Sequence, residues 1–373
     1  MSAPHELLTR RRLNRATLAR QMLLQREQRS ALEAVERLCG MQAQEPRPPF
    51  PGLWTRLQEF RREDLRRALH DRTIVRATLM RGTLHLMSAA DYVAHRTTLQ
   101  PMLTRSLALL GPRAEGLAAE EVLPVARALL DQRPRTFGEL RAVLVEAFPG
   151  INDRALGFTV RMSLPLVMIP TDDRWGFPSD SRFGLAESWL GTSISDKADP
   201  GGLVLRYLAA FGPASAADVQ QWSGLQGIKP VLESLRPRLS VFRDERGRTL
   251  FDLPDAPRPA AETPAPPRFL PEFDNLLLSH ADRTRVLADE RRHVILGAKN
   301  GRIPAAFLVD GWVAGTWRVE RKKQAATLAM TPFEPLPKDT AVALAEEGEA
   351  LLRFLEDDAV SFGVRQNPPL NAI

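Results

Sequence analysis

From position 31 onward apolar residues fall at helical spacing, at Leu32, Val35, Leu38 and Cys39, and one further step of that stripe lands on a polar amide, Gln42. Ser30 supplies an N-cap for this helix, Asn14 or Thr17 starts an earlier one running to about position 25, and residues 62–71 predict a third. The pattern then turns from helical to β-prone. Residues 73–80 and 83–87 favour strands on either side of Arg81-Gly82, and Ser88 caps a helix containing Tyr92. Helices followed by a strand pair outline a winged helix.

The outline recurs twice, by element order rather than by sequence. Helices are predicted over 119–131, from the Thr136 cap to 147 and from the Asn152 cap to 162, before a strand at 164–169 and a wing turn with a second strand at 171–176. In the third copy, helices over 202–211, from the Ser215 cap to 222 and over 228–235 precede a hairpin, 239–243 with 248–253, turning at Arg246-Gly247. Residues 254–271 hold seven prolines and few large apolar side chains, which predicts an extended, partly rigid linker. Strands follow at 293–298, 305–309, 312–319 and 326–330, with hairpin turns at Asn300-Gly301 and Asp310-Gly311 and a closing helix over 340–357. Trp312 and Trp317 alternate as in the wall of a barrel, so both are expected in a core. The expected fold is α+β, with winged-helix units at 1–105, 106–190 and 191–253, a linker at 254–271, a β-rich, barrel-like domain at 272–365 and a loose tail at 366–373.

Gly40 can end the second helix and Pro46 biases Glu45 towards extended geometry, so the segment between them is predicted to be non-helical. Residues two apart in extended chain point the same way, which aims the amides of Gln42 and Gln44 into one space with Ala43 turned away. Two readings of the pair stand at this point: local capping of backbone, or amides held out for chemistry. Cys39, on the apolar stripe, reads as a small core residue.

Composition narrows the classes. The chain has 373 residues, 44% hydrophobic and 26% charged, enough for two to four ordinary globular domains. A lone cysteine excludes an internal disulfide or a cysteine zinc cluster, and the six histidines are scattered without ligand spacing. No apolar run approaches bilayer-spanning length, and residues 1–12 lack the apolar core of a secretion signal; a cytoplasmic location without membrane contact is expected. The formal charge of +6 and pI of about 9.9 permit attraction to nucleic acid. Arginine in place of lysine is also what a GC-rich genome produces, so local clustering is more telling. Arg10, Arg11, Arg12, Arg15, Arg20, Arg26 and Arg29 face only Glu6 and Glu27 in the first thirty residues, either as a solvated helix face or as a surface for phosphates.

Three stretches carry a family resemblance: Gly40-Met41-Gln42-Ala43-Gln44, Met80-Arg81-Gly82-Thr83-Leu84-His85-Leu86, and Leu270-Pro271-Glu272-Phe273-Asp274-Asn275-Leu276-Leu277-Leu278 with Asp282-Arg283. From about Arg10 to about Arg365 the chain resembles the AlkZ-type winged-helix DNA glycosylases. That resemblance implies three tandem winged-helix units and a β-rich C-terminal part in a C shape around a DNA-sized channel. The family's catalytic motif is glutamine, an apolar residue, then glutamine or aspartate, and Gln42-Ala43-Gln44 matches its two-glutamine branch. Members excise N7-alkylated guanines, and this branch is associated with unhooking crosslinks or bulky adducts made by DNA-alkylating antibiotics.

The implied catalytic residues are therefore Gln42 and Gln44, and the candidate DNA contacts are Arg81, Thr83, His85, Arg11, Arg12 and Arg283. For Arg81, Thr83 and His85 the alternative is wing packing; for Asp274, His280 and Arg283 it is a structural ion-pair or turn cluster. The expected partner is double-stranded DNA carrying an alkylated guanine, met by a monomer at the nucleoid that needs no cofactor or metal. A non-catalytic winged-helix regulator is the competing reading, and a scaffold that has lost DNA binding is a third.

Overall fold

The computed structural model describes residues 6–298 and 301–370. Several helices begin where a side chain can take over an orphan backbone donor. Ser30, Thr136 and Ser215 form reciprocal capping boxes with Glu33, Glu139 and Asp218, opening the helices Ala31–Arg37, Phe137–Ala147 and Ala216–Ser223. Asn152 and Ser88 cap Asp153–Ser163 and Ala89–Ser106. The first helix departs from expectation: it is capped by Thr9 and spans Arg10–Arg20. Its Asn14 instead donates to the carbonyls of Arg285 and Gly311, at 2.7 and 2.8 Å.

The strands form three sheets. The one that positions the site has the order Met41–Gln42, Leu84–Ser88, Ile74–Thr78, Leu166–Met168, Phe183–Leu185, antiparallel throughout. Strands expected in two separate units thus share one sheet. The partner of Leu166–Met168 is not the stretch 171–176, which turns with the Gly176 amide bonded to the Asp173 carbonyl. That turn carries Trp175 to an edge-on contact with Phe50 at 5.1 Å. A second sheet joins Leu7–Leu8 in parallel to the hairpin Ser240–Asp244 and Thr249–Asp252.

The C-terminal sheet runs Ser361–Gln366, Ala325–Pro332, Trp312–Lys322, Ala306–Val309, Arg268–Leu270. It is open, which corrects the expected barrel: closure requires the two edge strands to pair, and among the described residues they do not. The helix Lys338–Leu355 covers the apolar face instead, burying Leu344, Leu351 and Leu352 in a cluster with Phe269, Phe307 and Trp317. Trp317 is core, its indole N–H donating to the Leu270 carbonyl at 2.8 Å. Trp312 is not core; it is half-buried under the guanidiniums of Arg11 and Arg15, each 5.5 Å from its ring. The strand expected at 293–298 is the short helix Arg292–Leu296, of which only Ile295 is fully buried. Three consecutive apolar residues do not distinguish strand from helix, and the sheet position beside Ala306–Val309 is taken by Arg268–Leu270. Of the expected turn at Asn300-Gly301, Asn300 lies outside the described residues, as does the tail beyond 370.

The proline-rich stretch is pinned rather than free. Carbonyls of Pro257, Ala261 and Thr263 accept from Arg20, Arg11 and Arg15, so the N-terminal helix holds it in place.

Candidate active site

The helix Ala31–Arg37 ends in a Schellman turn. The Gly40 amide donates to the Val35 carbonyl at 3.0 Å, and Cys39 rather than glycine occupies the first left-handed position, at φ 52°. Gly40 follows at φ 87°, where a Cβ would lie 2.9 Å from the Leu86 carbonyl oxygen. The double left-handed turn swings the chain into Met41–Gln42, which pairs with Leu84–Ser88 in the register Met41 to Leu86 and Gln42 to His85. Ala43 donates to the Leu84 carbonyl at 2.7 Å and is fully buried. Arg76, an arginine within a wholly buried strand, staples the segment from beneath: its Nε donates to the Ala43 carbonyl at 2.9 Å and its Nη2 to the Gln44 carbonyl at 3.0 Å. Cys39 is a core residue as expected, its thiol pushed up to about 12 by burial.

Gln42 is nearly buried, and its Oε1 accepts from Arg81 Nη2 at 2.7 Å. A guanidinium only donates, so this contact fixes which end of the amide faces Arg81 and leaves the NH2, without a partner among the described residues, as the uncommitted end. Arg81 sits in a left-handed conformation, φ 57°, within the turn Met80–Gly82; its Nη1 donates to the Trp222 carbonyl and its Nη2 lies 3.4 Å from His85 Nε2. His85 Nδ1 is 3.0 Å from the Thr83 carbonyl, which assigns the proton to Nδ1 and leaves Nε2 as acceptor for Arg81. Burial, then the Arg81 charge, holds the His85 imidazole down to about 3, so it is neutral and structural. Burial, with Arg283 adding repulsion, lowers the Arg81 guanidinium to about 10, and it stays a cation near neutral pH.

Gln44 has different neighbours. Its Oε1 accepts from the Leu84 amide at 3.2 Å, and it lines a cleft of about 310 Å³ with Arg76, Leu84, Arg161 and Phe183. Gln42 lines a cavity of about 10 Å³ with Arg56, Asp274 and Asn275. That is room for about one water molecule. Asn275 Nδ2 donates to the Gly40 carbonyl at 3.2 Å, while its buried Oδ1 has no acceptor contact to a donor among the described residues. No hydrogen bond joins the two glutamines among the described residues, and they line different cavities, which corrects the single space expected for both amides. Of the nearby carboxylates, Asp274 pairs with Arg56 at 2.9 Å and accepts from the Leu276 amide, and Glu272 pairs with Arg302 at 3.2 Å, while Glu45 and Asp180 line the cleft beside Gln44.

Residues 35–354 match the model of DNA glycosylase AlkZ-like proteins. The chain belongs to the AlkZ-like DNA glycosylase family. It is 29% identical over 364 residues to an interstrand DNA cross-link repair glycosylase of Streptomyces sahachiroi, covering 90% of this chain and 94% of that relative. The solved structure of Streptomyces sahachiroi DNA glycosylase AlkZ superposes with a TM-score of 0.79 at 23% identity, covering 97% of this chain and 100% of that one, which shows the shared fold. As an AlkZ-like DNA glycosylase the chain is a hydrolase acting on N-glycosyl bonds with DNA as its substrate, and the regulator reading is not favoured.

Within this AlkZ-like glycosylase the candidate DNA residues separate. Arg81, Thr83 and His85 surround Gln42, and Thr83 Oγ1 donates to the Met80 carbonyl at 3.2 Å. Arg283 acts on Arg81 by like-charge repulsion, and its own Nε donates to the Leu277 carbonyl at 2.8 Å. Arg11 and Arg12 are occupied elsewhere. Arg11 forks onto Asp310 at 2.6 and 3.1 Å, and Arg12 pairs with Glu6 at 2.5 Å. His280 is buried and bonded to the Phe211 carbonyl, and Asp274 pairs with Arg56; no hydrogen bond or ion pair joins Asp274, His280 and Arg283 to one another among the described residues. Sequence reasoning missed Arg76, Arg161 and the role of Asn275 as a lining residue. Arg76 alone left a local signal, a charge inside an apolar β run.

Proposed function

We propose that this chain is a monofunctional glycosylase that hydrolyses the N-glycosyl bond of cationic N7-alkylguanines, including bulky adducts and interstrand crosslinks, in DNA repair or in self-protection against a DNA-alkylating natural product. The observation that carries it is the Gln42 amide, held at its oxygen by Arg81 with its NH2 uncommitted, in a cavity whose Asp274 carboxylate is already paired with Arg56. N7 alkylation puts a positive charge on the base, so the leaving group is activated before the enzyme acts and no strong general acid is required. Gln42 then positions a water beneath C1′, and Gln44, from its own cleft, supports the oxocarbenium-like sugar without adding a full charge. The name of the Streptomyces relative, a crosslink repair glycosylase, supports the substrate class. We further read 1–105, 106–190 and 191–253 as winged-helix units that curve with the C-terminal sheet around a duplex, so that bulk on the base is tolerated without extrusion into a closed pocket.

The test uses duplexes identical except for the lesion: an N7-methylguanine, a bulky N7 adduct and uracil. Wild-type protein is expected to release both alkylated bases and leave uracil, while Gln42→Ala and Gln44→Ala each lose about 10²-fold or more of the single-turnover rate with unchanged melting temperature. Efficient uracil release, or a double variant as active as wild type, would sink this mechanism. Release of the methyl but not the bulky adduct would show a closed pocket.

A further inference from the structure

Arginine is the dominant cation of this protein; the buried Arg76, Arg96 and Arg285 are bonded to neutral acceptors, and other buried guanidiniums are matched by carboxylates. Arg20 pairs with Asp252, Arg56 with Asp274 and Arg15 with Asp310. The same holds for guanidiniums left partly unsatisfied. Six arginines have a buried Nε–H without an acceptor among the described residues, and five of them, Arg37, Arg62, Arg66, Arg174 and Arg206, are ion-paired. The exception is Arg161.

Arg161 projects from the helix Asp153–Ser163, and its Nη2 donates to the Gly82 carbonyl at 3.2 Å, in the turn that carries Arg81. It also lines the cleft beside Gln44. Burial lowers its pKa, with no carboxylate acting against that shift, and the same holds for Arg81. Arg105 approaches the same turn, donating to the carbonyl of Gly224, whose Cβ position lies 3.5 Å from the Arg81 Cα. Several cations therefore converge on one turn beside the glutamines without a carboxylate bonded to any of them among the described residues. Removing a cation from water without a counter-charge is costly, and because the other arginines whose Nε–H lacks an acceptor are all ion-paired, the Arg161 charge is the one of these left for a ligand to neutralise.

We infer that Arg161 is a DNA-phosphate contact, binding the backbone beside the excised nucleotide and bringing the helix Asp153–Ser163 into the active site. The inference rests on the glycosylase reading only for the position of the site; the charge argument requires DNA binding, not excision. A planar guanidinium anchored at one Nη to Gly82 keeps its other edge for an anion, and a phosphate oxygen pair suits that fork.

The test is a salt titration with full-length protein and an unmodified labelled duplex, reading the slope of log affinity against log salt. Arg161→Gln, which retains a donor for Gly82, is expected to reduce the slope by about 0.9, the equivalent of one phosphate, and Arg161→Lys to restore it. Arg353→Ala, at an exposed arginine paired with Glu349, is the control and should leave the slope unchanged. An unchanged slope in Arg161→Gln, or an equal fall in Arg353→Ala, overturns the assignment. Independently of any variant, arginine-selective dicarbonyl labelling of the wild-type protein, read by mass spectrometry, should show Arg161 protected by saturating duplex; equal labelling with and without DNA also overturns it. Failure of the glutamine mechanism is separable, because it appears as excision by Gln42→Ala while the Arg161 slope still changes.

Discussion

His85 shows how a polar residue beside reactive groups can be an architectural part. Its ring passes a hydrogen-bond chain from the Thr83 carbonyl to Arg81 and so to Gln42, and the chain requires the neutral ring with Nε2 as acceptor. The folded pKa of about 3 lies below the unfolded value of about 6.5. Such a group contributes fully above the unfolded value and loses its contribution as pH falls from there towards the folded value, because the unfolded chain binds the extra proton. Acidification from about pH 6.5 towards 4 is therefore expected to lower the melting temperature of wild type more than that of His85→Asn. His280, also held down to about 3, keeps part of the acid sensitivity in both proteins. Equal acid sensitivity would place the His85 ring outside this chain of bonds.

The turn between the helix Ala31–Arg37 and the strand Met41–Gln42 is the element that presents the motif, and its geometry depends on two consecutive left-handed residues. Cys39 adopts such a conformation at a modest cost, but Gly40 combines a φ of 87° with the Leu86 carbonyl 2.9 Å from any added Cβ. Gly40→Ala is expected to destabilise the protein by about 1–3 kcal/mol in urea denaturation. Its effect on excision should exceed what the remaining folded fraction explains, since relieving the contact shifts Gln42 relative to Arg81. Wild-type stability and rate in Gly40→Ala would mean that the turn relaxes without moving the strand.

Across the whole molecule, buried ion pairs join segments distant in sequence. Arg56 and Asp274 are 218 residues apart and meet at 2.9 Å, with side chains 2% and 3% exposed, against the cavity that Gln42 lines. Replacing Arg56 by leucine leaves the Asp274 carboxylate buried with only the Leu276 amide bonded to it, and should cost about 3–5 kcal/mol. The double variant Arg56→Leu with Asp274→Leu should recover much of that loss, because the penalty lies in the unpaired charge rather than in the missing bond. A double variant no more stable than Arg56→Leu would show that the pair's hydrogen bonds to Gln21 and Gly52 carry the energy instead.

Helix starts were readable along the chain because a cap and its capping box lie within four residues of one another, as at Ser30 with Glu33 and Thr136 with Glu139. The glutamine pair was readable for the same reason, since Gly40 and Pro46 bound its backbone locally. Where local preference is weak the outcome was set by neighbours. Val294 to Leu296 suits a strand by propensity yet forms a helix, and a five-stranded sheet became an open layer because a helix covers its apolar face. The site's working environment is wholly tertiary. The orientation of the Gln42 amide comes from Arg81, 39 residues away, the cavity beside it from Asn275, which reaches back 235 residues to Gly40, and the unpaired cation at its edge from Arg161, 79 residues beyond Gly82. Charge pairing is satisfied by whichever carboxylate the fold brings within reach. That is why Arg11 and Arg12, exposed in the sequence as a basic run, are occupied by Asp310 and Glu6, while Arg161, unremarked in it, is left with no counter-charge.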